Sequence, residues 1–83
     1  MDEPTVDTDG TVRWHNKAGQ LHRTDGPAIE WLNGTKLWYY EGVYHREGNL
    51  PAIEWADGSV EYVHHGVRYY PEIIQINGEE IVI

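Results

Sequence analysis

The chain reads as all-β, an antiparallel meander of repeated β-hairpins forming an open twisted sheet. Three observations predict this. The stretch Pro27-Ala28-Ile29-Glu30-Trp31-Leu32-Asn33-Gly34-Thr35 returns 24 residues later as Pro51-Ala52-Ile53-Glu54-Trp55-Ala56-Asp57-Gly58-Ser59. A fixed period of this size marks a repeat architecture. β-Branched and aromatic residues dominate between Gly/Asn/Asp turns, and no window carries helical periodicity.

A weaker copy runs from Pro71 to Gly78, and a shortened one from Pro4 to Gly10, so all four prolines hold the same place in the unit. The chain is then a single domain, 1–83, with units at approximately 4–26, 27–50, 51–70 and 71–83. Each unit opens with a Pro-led strand, where a missing N–H does little harm. Alternation places Ile29 and Trp31 on one face and Ala28 and Glu30 on the other, with Ile29, Trp31, Ile53 and Trp55 as core. Asn33-Gly34 and Asp57-Gly58 are expected to supply the two positive φ angles of type I′ hairpin turns.

The returning strands are Thr35 to Tyr40 and Ser59 to His64. Trp14, Trp38, Tyr62 and Val82 align as a column with a shared packing role. A glycine then recurs at Gly19, Gly42 and Gly66. A short third strand follows: Leu21-His22-Arg23, Tyr44-His45-Arg46 and Arg68-Tyr69-Tyr70. The first and last units are expected to act as caps, being atypical as terminal repeats are. The closing Ile81-Val82-Ile83 would invite aggregation at a bare edge, so it is expected to be covered.

Composition bounds the function. The chain has no cysteine, four Trp, six Tyr and no Phe, and a net charge of −8. Without cysteine there is no disulfide or thiolate metal site, which fits a reducing compartment. The acidic start argues against a signal peptide, and no apolar run approaches the roughly 20 residues of a membrane span. The expected location is the cytoplasm. The charge repels nucleic acid and anionic lipid and favours basic partners, although solubility also accounts for it.

The repeat positions resemble MORN-type repeats: an aromatic, Asp/Asn-Gly, an aromatic four residues on, Gly, then His beside a basic residue. They are most similar to a divergent variant, His-Arg-x-x-Gly-Pro-Ala, seen in phage and large-virus proteins. His22-Arg23-Thr24-Asp25-Gly26-Pro27-Ala28 matches it fully. His45-Arg46-Glu47-Gly48-Asn49-Leu50-Pro51-Ala52 matches with one inserted residue and a displaced glycine. The resemblance covers residues 9–66 well. It implies stacked β-hairpins used to bind other proteins. The phospholipid role linked to such repeats would need a basic surface that this chain lacks.

Several constellations carry residue types capable of chemistry. His22-Arg23 and His45-Arg46 recur with Glu30 and Glu54, and repetition favours an Arg–Glu or His–carboxylate ladder between units over a catalytic site. His64-His65, with His15 or His45 near, would suit zinc, but adjacent strand residues point to opposite faces, so no metal is assigned. Glu30 and Glu54 could imitate a glycosidase pair; their recurrence beside the same Pro-Ala-Ile favours a solvated or salt-bridged role. No phosphate loop, nucleophile elbow or Cys/His dyad is present. The expectation is a non-catalytic protein without cofactor.

Tyr residues exceed what a thin core absorbs, and Tyr and Trp are preferred interface anchors. The leading expectation is therefore an acidic protein-binding module: a phage-type inhibitor or decoy blocking a basic nucleic-acid-binding surface of a host protein, such as a CRISPR effector. Its protein-binding residues would be Glu30, Tyr40, Tyr44, Glu54, Glu61 and Tyr69. Carboxylates two residues apart on a strand lie about 6.5–7 Å apart, a substitute for a phosphate row. The alternative is a MORN-like scaffold or self-assembling structural protein, its sheet completed in a homodimer. A carbohydrate-binding module ranks below both.

Overall fold

The structure is a computed structural model that describes residues 4–71, 73–76 and 79–82, the last two stretches by backbone alone. The strands are β1 (Pro4–Val6), β2 (Val12–Trp14), β3 (Ile29–Glu30), β4 (Lys36–Leu37), β5 (Tyr39–Tyr40), β6 (Val43–Tyr44), β7 (Ile53–Glu54), β8 (Val60–His64), β9 (Val67–Tyr69), β10 (Ile73–Ile76) and β11 (Glu79–Val82). An open antiparallel sheet runs β1-β2-β3-β4-β7-β8-β9, while β5-β6 and β10-β11 form two-stranded sheets of their own. The all-β meander is thus the observed fold. Among the described residues no helix is long and apolar enough to cross a membrane.

Register explains how a thin sheet acquires a core. Val12, Glu30, Lys36, Glu54 and Val60 form one row across the strands, and Arg13, Ile29, Leu37, Ile53 and Glu61 form the next. Adjacent rows face opposite sides. The second row is apolar in its middle, and Ile29, Leu37 and Ile53 are buried there with Val63 and Ala52. Leu21, Trp38, Tyr39, Tyr44 and Trp55 pack around them. The first row stays charged, as the alternation of Ile and Glu predicts.

Two expectations about this face need correction. Trp31 is 38% exposed, whereas Ala28 and Ala52 are 0% exposed. The strands β3 and β7 are only two residues long, so the alternation ends at Glu30. Trp31 already belongs to the turn, its N–H donating to the Thr35 carbonyl at 2.9 Å. Ala28 lies between two neighbouring segments: its N–H donates to Leu37 O, and Trp14 N–H donates to Ala28 O, both at 2.8 Å. Ala52 repeats this between Glu61 O at 3.0 Å and Trp38 N–H at 2.7 Å.

The turns also differ from expectation. At Asn33-Gly34 and Asp57-Gly58 only the glycines have positive φ. Gly34 N–H donates to Trp31 O and Gly58 N–H to Trp55 O, each at 3.0 Å. These are three-residue loops, a turn followed by a left-handed glycine, rather than type I′ turns. The Asn and Asp are selected for another reason: their side-chain oxygens accept the N–H two residues on, Thr35 and Ser59, at 2.9 Å. Two-residue hairpin turns with paired positive φ lie instead at Glu41-Gly42, between β5 and β6, and at His65-Gly66, between β8 and β9.

The aromatic column marks a corner. Trp38 separates β4 from β5; its N–H serves the main sheet at Ala52, and its carbonyl accepts His45 N–H at 3.1 Å. Trp14 does the same with Ala28 and with His22 N–H at 3.0 Å. Beyond this corner the expected third strands are shorter than read. Leu21 makes one bridge to His15, and His22, Arg23, His45 and Arg46 lie outside the strands. Side chains of the closing Ile81-Val82-Ile83, Val82 in the aromatic column included, lie outside the described residues.

Candidate functional site

The His-Arg pairs hold successive units together. Glu41 and His65 are non-glycine residues at φ 48 and 46, in the left-handed region. The Glu41 N–H donates to His22 Nδ1 at 3.0 Å, and the His65 N–H donates to His45 Nδ1 at 2.8 Å. Beside these bonds Gly42 N–H reaches Leu21 O and Gly66 N–H reaches Tyr44 O, both at 2.8 Å. Each type I′ turn is therefore latched onto the preceding unit.

The arginines clamp the loops. Arg23 lies 4.3 Å over the Trp14 ring and donates to Pro27 O at 3.2 Å; Arg46 lies 3.8 Å over Trp38 and donates to Pro51 O at 3.0 Å. Their charges meet Glu30 at 3.6 Å and Glu54 at 3.2 Å, and Arg68 meets Glu61 at 3.0 Å. The Arg–Glu ladder expected between units is present. Gly26 has a steric role in it, because a Cβ there would stand 2.9 Å from Arg23 Cζ.

Between the two clamped loops lies a cleft of about 620 Å³, lined by Arg23, Asp25, Trp38, Tyr40, Arg46 and Glu47 among others. Arg23 Nε donates to Asp25 at 2.9 Å, yet the Asp25 side chain is 81% exposed. Glu47 accepts from His45 Nε2 at 2.8 Å and is 79% exposed. That bond, more than the nearby imidazole charges, holds the Glu47 carboxyl below its ordinary range.

His45 is the buried member of an imidazole cluster. Its ring stacks on His65 at 3.9 Å between centroids and lies 4.6 Å from His64. Nitrogens of all three approach within 4.8 Å of one another. The opposite-face argument applied to His64 and His65 fails here. His64 ends β8, but His65 has left the extended chain for the turn, and their rings lie 4.5 Å apart.

The residues singled out from sequence are dispersed. Glu30 and Glu54 share a row but flank Lys36, and each faces an arginine. Glu61 lies on the opposite row and accepts Trp55 Nε1–H at 2.9 Å. Tyr44 stacks on Tyr39 at 4.3 Å against the core, and burial, with Tyr44 alongside, pushes the Tyr39 hydroxyl up. Tyr69 is half-buried, its hydroxyl donating to Asn49 at 3.1 Å. Tyr40 alone of the six reaches the cleft, 36% exposed, with His22 and His45 against its ring at 4.7 and 6.0 Å.

Sequence reasoning missed Asp25 and Glu47 at the rim and His64-His65 as a convergent pair. The signal for the pair is His65-Gly66 read as a turn, which removes the strand alternation.

Fold and site define an open all-β repeat protein whose units are latched by histidine and clamped by arginine. No family model, curated protein or solved structure matches the chain.

Proposed function

We propose that the chain is a non-catalytic acidic protein-binding module that seats basic side chains of its partner in the cleft between the two His-Arg loops. The observation that carries this is Tyr40 exposed inside a cleft rimmed by two outward-facing carboxylates, Asp25 and Glu47. A lysine or arginine entering there meets an aromatic face and one or two carboxylates. The cleft's own arginines are committed to tryptophan faces and proline carbonyls. Residues 4–71 hold nine carboxylates against six cations, so most of the net charge of −8 belongs to the two ends. That distribution gives a general attraction for basic surfaces and leaves recognition to the cleft.

On this reading the partner is a basic, nucleic-acid-binding protein of a bacterial host cytoplasm, and the chain acts as an inhibitor or decoy against it. The likeness of the repeat to MORN-type units from phage and large-virus proteins supports that role. The paired Glu30, Glu54 and Glu61 contribute less than an uncompensated phosphate-like row would.

The test is capture of partners from host lysate with a non-histidine tag, at low and high salt, followed by competition with duplex DNA and RNA. A captured protein released by nucleic acid, by salt, and by Tyr40→Ala with Glu47→Lys supports the decoy. A partner that holds nucleic acid and this chain together overturns it. Recovery of the chain alone, indifferent to salt, leaves the self-assembling scaffold instead.

A further inference from the structure

We infer that His45, His64 and His65 form a binding site for a divalent transition-metal ion, zinc or copper, at the joint between the second and third units. The proposal does not depend on the binding reading above.

Two hydrogen bonds fix the tautomer of His45. Its Nδ1 accepts the His65 N–H, so in the neutral ring the proton sits on Nε2 and is donated to Glu47. This is the state a metal ligand needs. One nitrogen carries a lone pair aimed at the turn bearing the other two imidazoles. The other nitrogen is held by a carboxylate, the outer partner that orients metal-bound histidines and raises their basicity. His45 is 6% exposed, so its ring is fixed by its surroundings, while His64 and His65 are exposed and free to adjust.

Nitrogens within 4.8 Å of one another can converge on one ion at about 2.0–2.1 Å each. Two changes accompany binding. His65 turns out of its stack on His45, a rotamer change for an exposed ring. The ion replaces the His65 N–H at Nδ1, exchanging one hydrogen bond for a coordinate bond. Imidazole donors suit zinc, copper and nickel, and the absence of thiolates removes the soft ligands that favour copper(I). The ion would then tie the third unit to the second in place of the hydrogen-bonded latch.

Groups facing His45 are Glu47, His64, His65 and Tyr40. Protons and the ion compete for the same imidazole lone pairs, so acid weakens binding.

The test is calorimetric titration of the untagged full chain with zinc chloride, and separately copper(II) chloride, at about pH 7.5 and about pH 5.5. One ion per chain is expected at the higher pH, with strong weakening at the lower. His64→Ala and His65→Gly should each abolish the site, the glycine keeping the left-handed turn. Glu47→Gln should weaken it by about tenfold or more. His15→Ala, outside the cluster, should leave it unchanged. Circular dichroism confirms that each variant is folded. Absence of saturable binding in the folded wild-type chain, or binding that survives both His64→Ala and His65→Gly, overturns the proposal.

Discussion

The amide of His65 donates to the Nδ1 of His45 across 2.8 Å and twenty residues of chain, and the bond encloses a buried side chain. The equivalent bond from Glu41 to His22 is longer, at 3.0 Å, and exposed. The two latches share chemistry and differ in solvation.

His45→Ala should therefore lower unfolding stability by about 1–3 kcal/mol, because it leaves a shielded N–H without an acceptor. His22→Ala should cost about 0.5–1.5 kcal/mol, water replacing the lost acceptor. Urea denaturation of both variants measures the difference. Equal losses would mean that burial of the latch is irrelevant.

Gly26 and Gly34 should fail for different reasons when replaced by alanine. At Gly34 nothing stands within 4 Å of the new Cβ, but φ is 98, so strain of about 1–2 kcal/mol is expected without local repacking. At Gly26 the methyl meets Arg23 and should lift it from the Trp14 face, at about 0.5–1 kcal/mol. Trp14 side-chain NMR shifts should move in Gly26→Ala and stay put in Gly34→Ala.

Asp57 and Asp9 should make stability fall in acid. Hydrogen bonds from the Ser59 side chain and backbone hold the Asp57 carboxyl below its ordinary range, and those from Thr11, backbone first, do so for Asp9. A depressed folded pKa contributes stability above the unfolded carboxylate value and loses it as pH falls through the folded one. The loss should set in below about pH 4 and proceed downward. The double variant Asp9→Asn, Asp57→Asn keeps the side-chain acceptors and should flatten the profile there; an unchanged acid limb would count against the assignment.

The core assignments can be ranked by mutation. Ile53→Ala should cost about 2–5 kcal/mol as a buried large-to-small change. Ala52→Leu should cost about 1–3 kcal/mol by overpacking an enclosed position. Trp31→Ala, at a 38% exposed site that touches Trp55 edge-on at 6.3 Å, should cost less than Ile53→Ala. Thermal melts that placed Trp31 above Ile53 would return it to the core.

By itself the sequence determined the all-β repeat, the placement of Ile29 and Ile53 inside with Glu30 and Glu54 outside, and the alignment of Trp14 and Trp38 in one column; that this column marks a corner came from the tertiary structure. These follow from local rules: a period, an alternation and residues that suit turns. It did not determine what His45 does, which face Trp31 takes or that His64 and His65 converge. Each of those depends on a chain segment some twenty residues away or on a turn that interrupts the pleat. Alternation predicts faces only while the backbone stays extended, and here β3 and β7 are two residues long and β8 ends at His64. The cleft arises from stacking one unit on the next, a contact no single unit contains, so only the tertiary structure could bring Asp25, Tyr40 and Glu47 together.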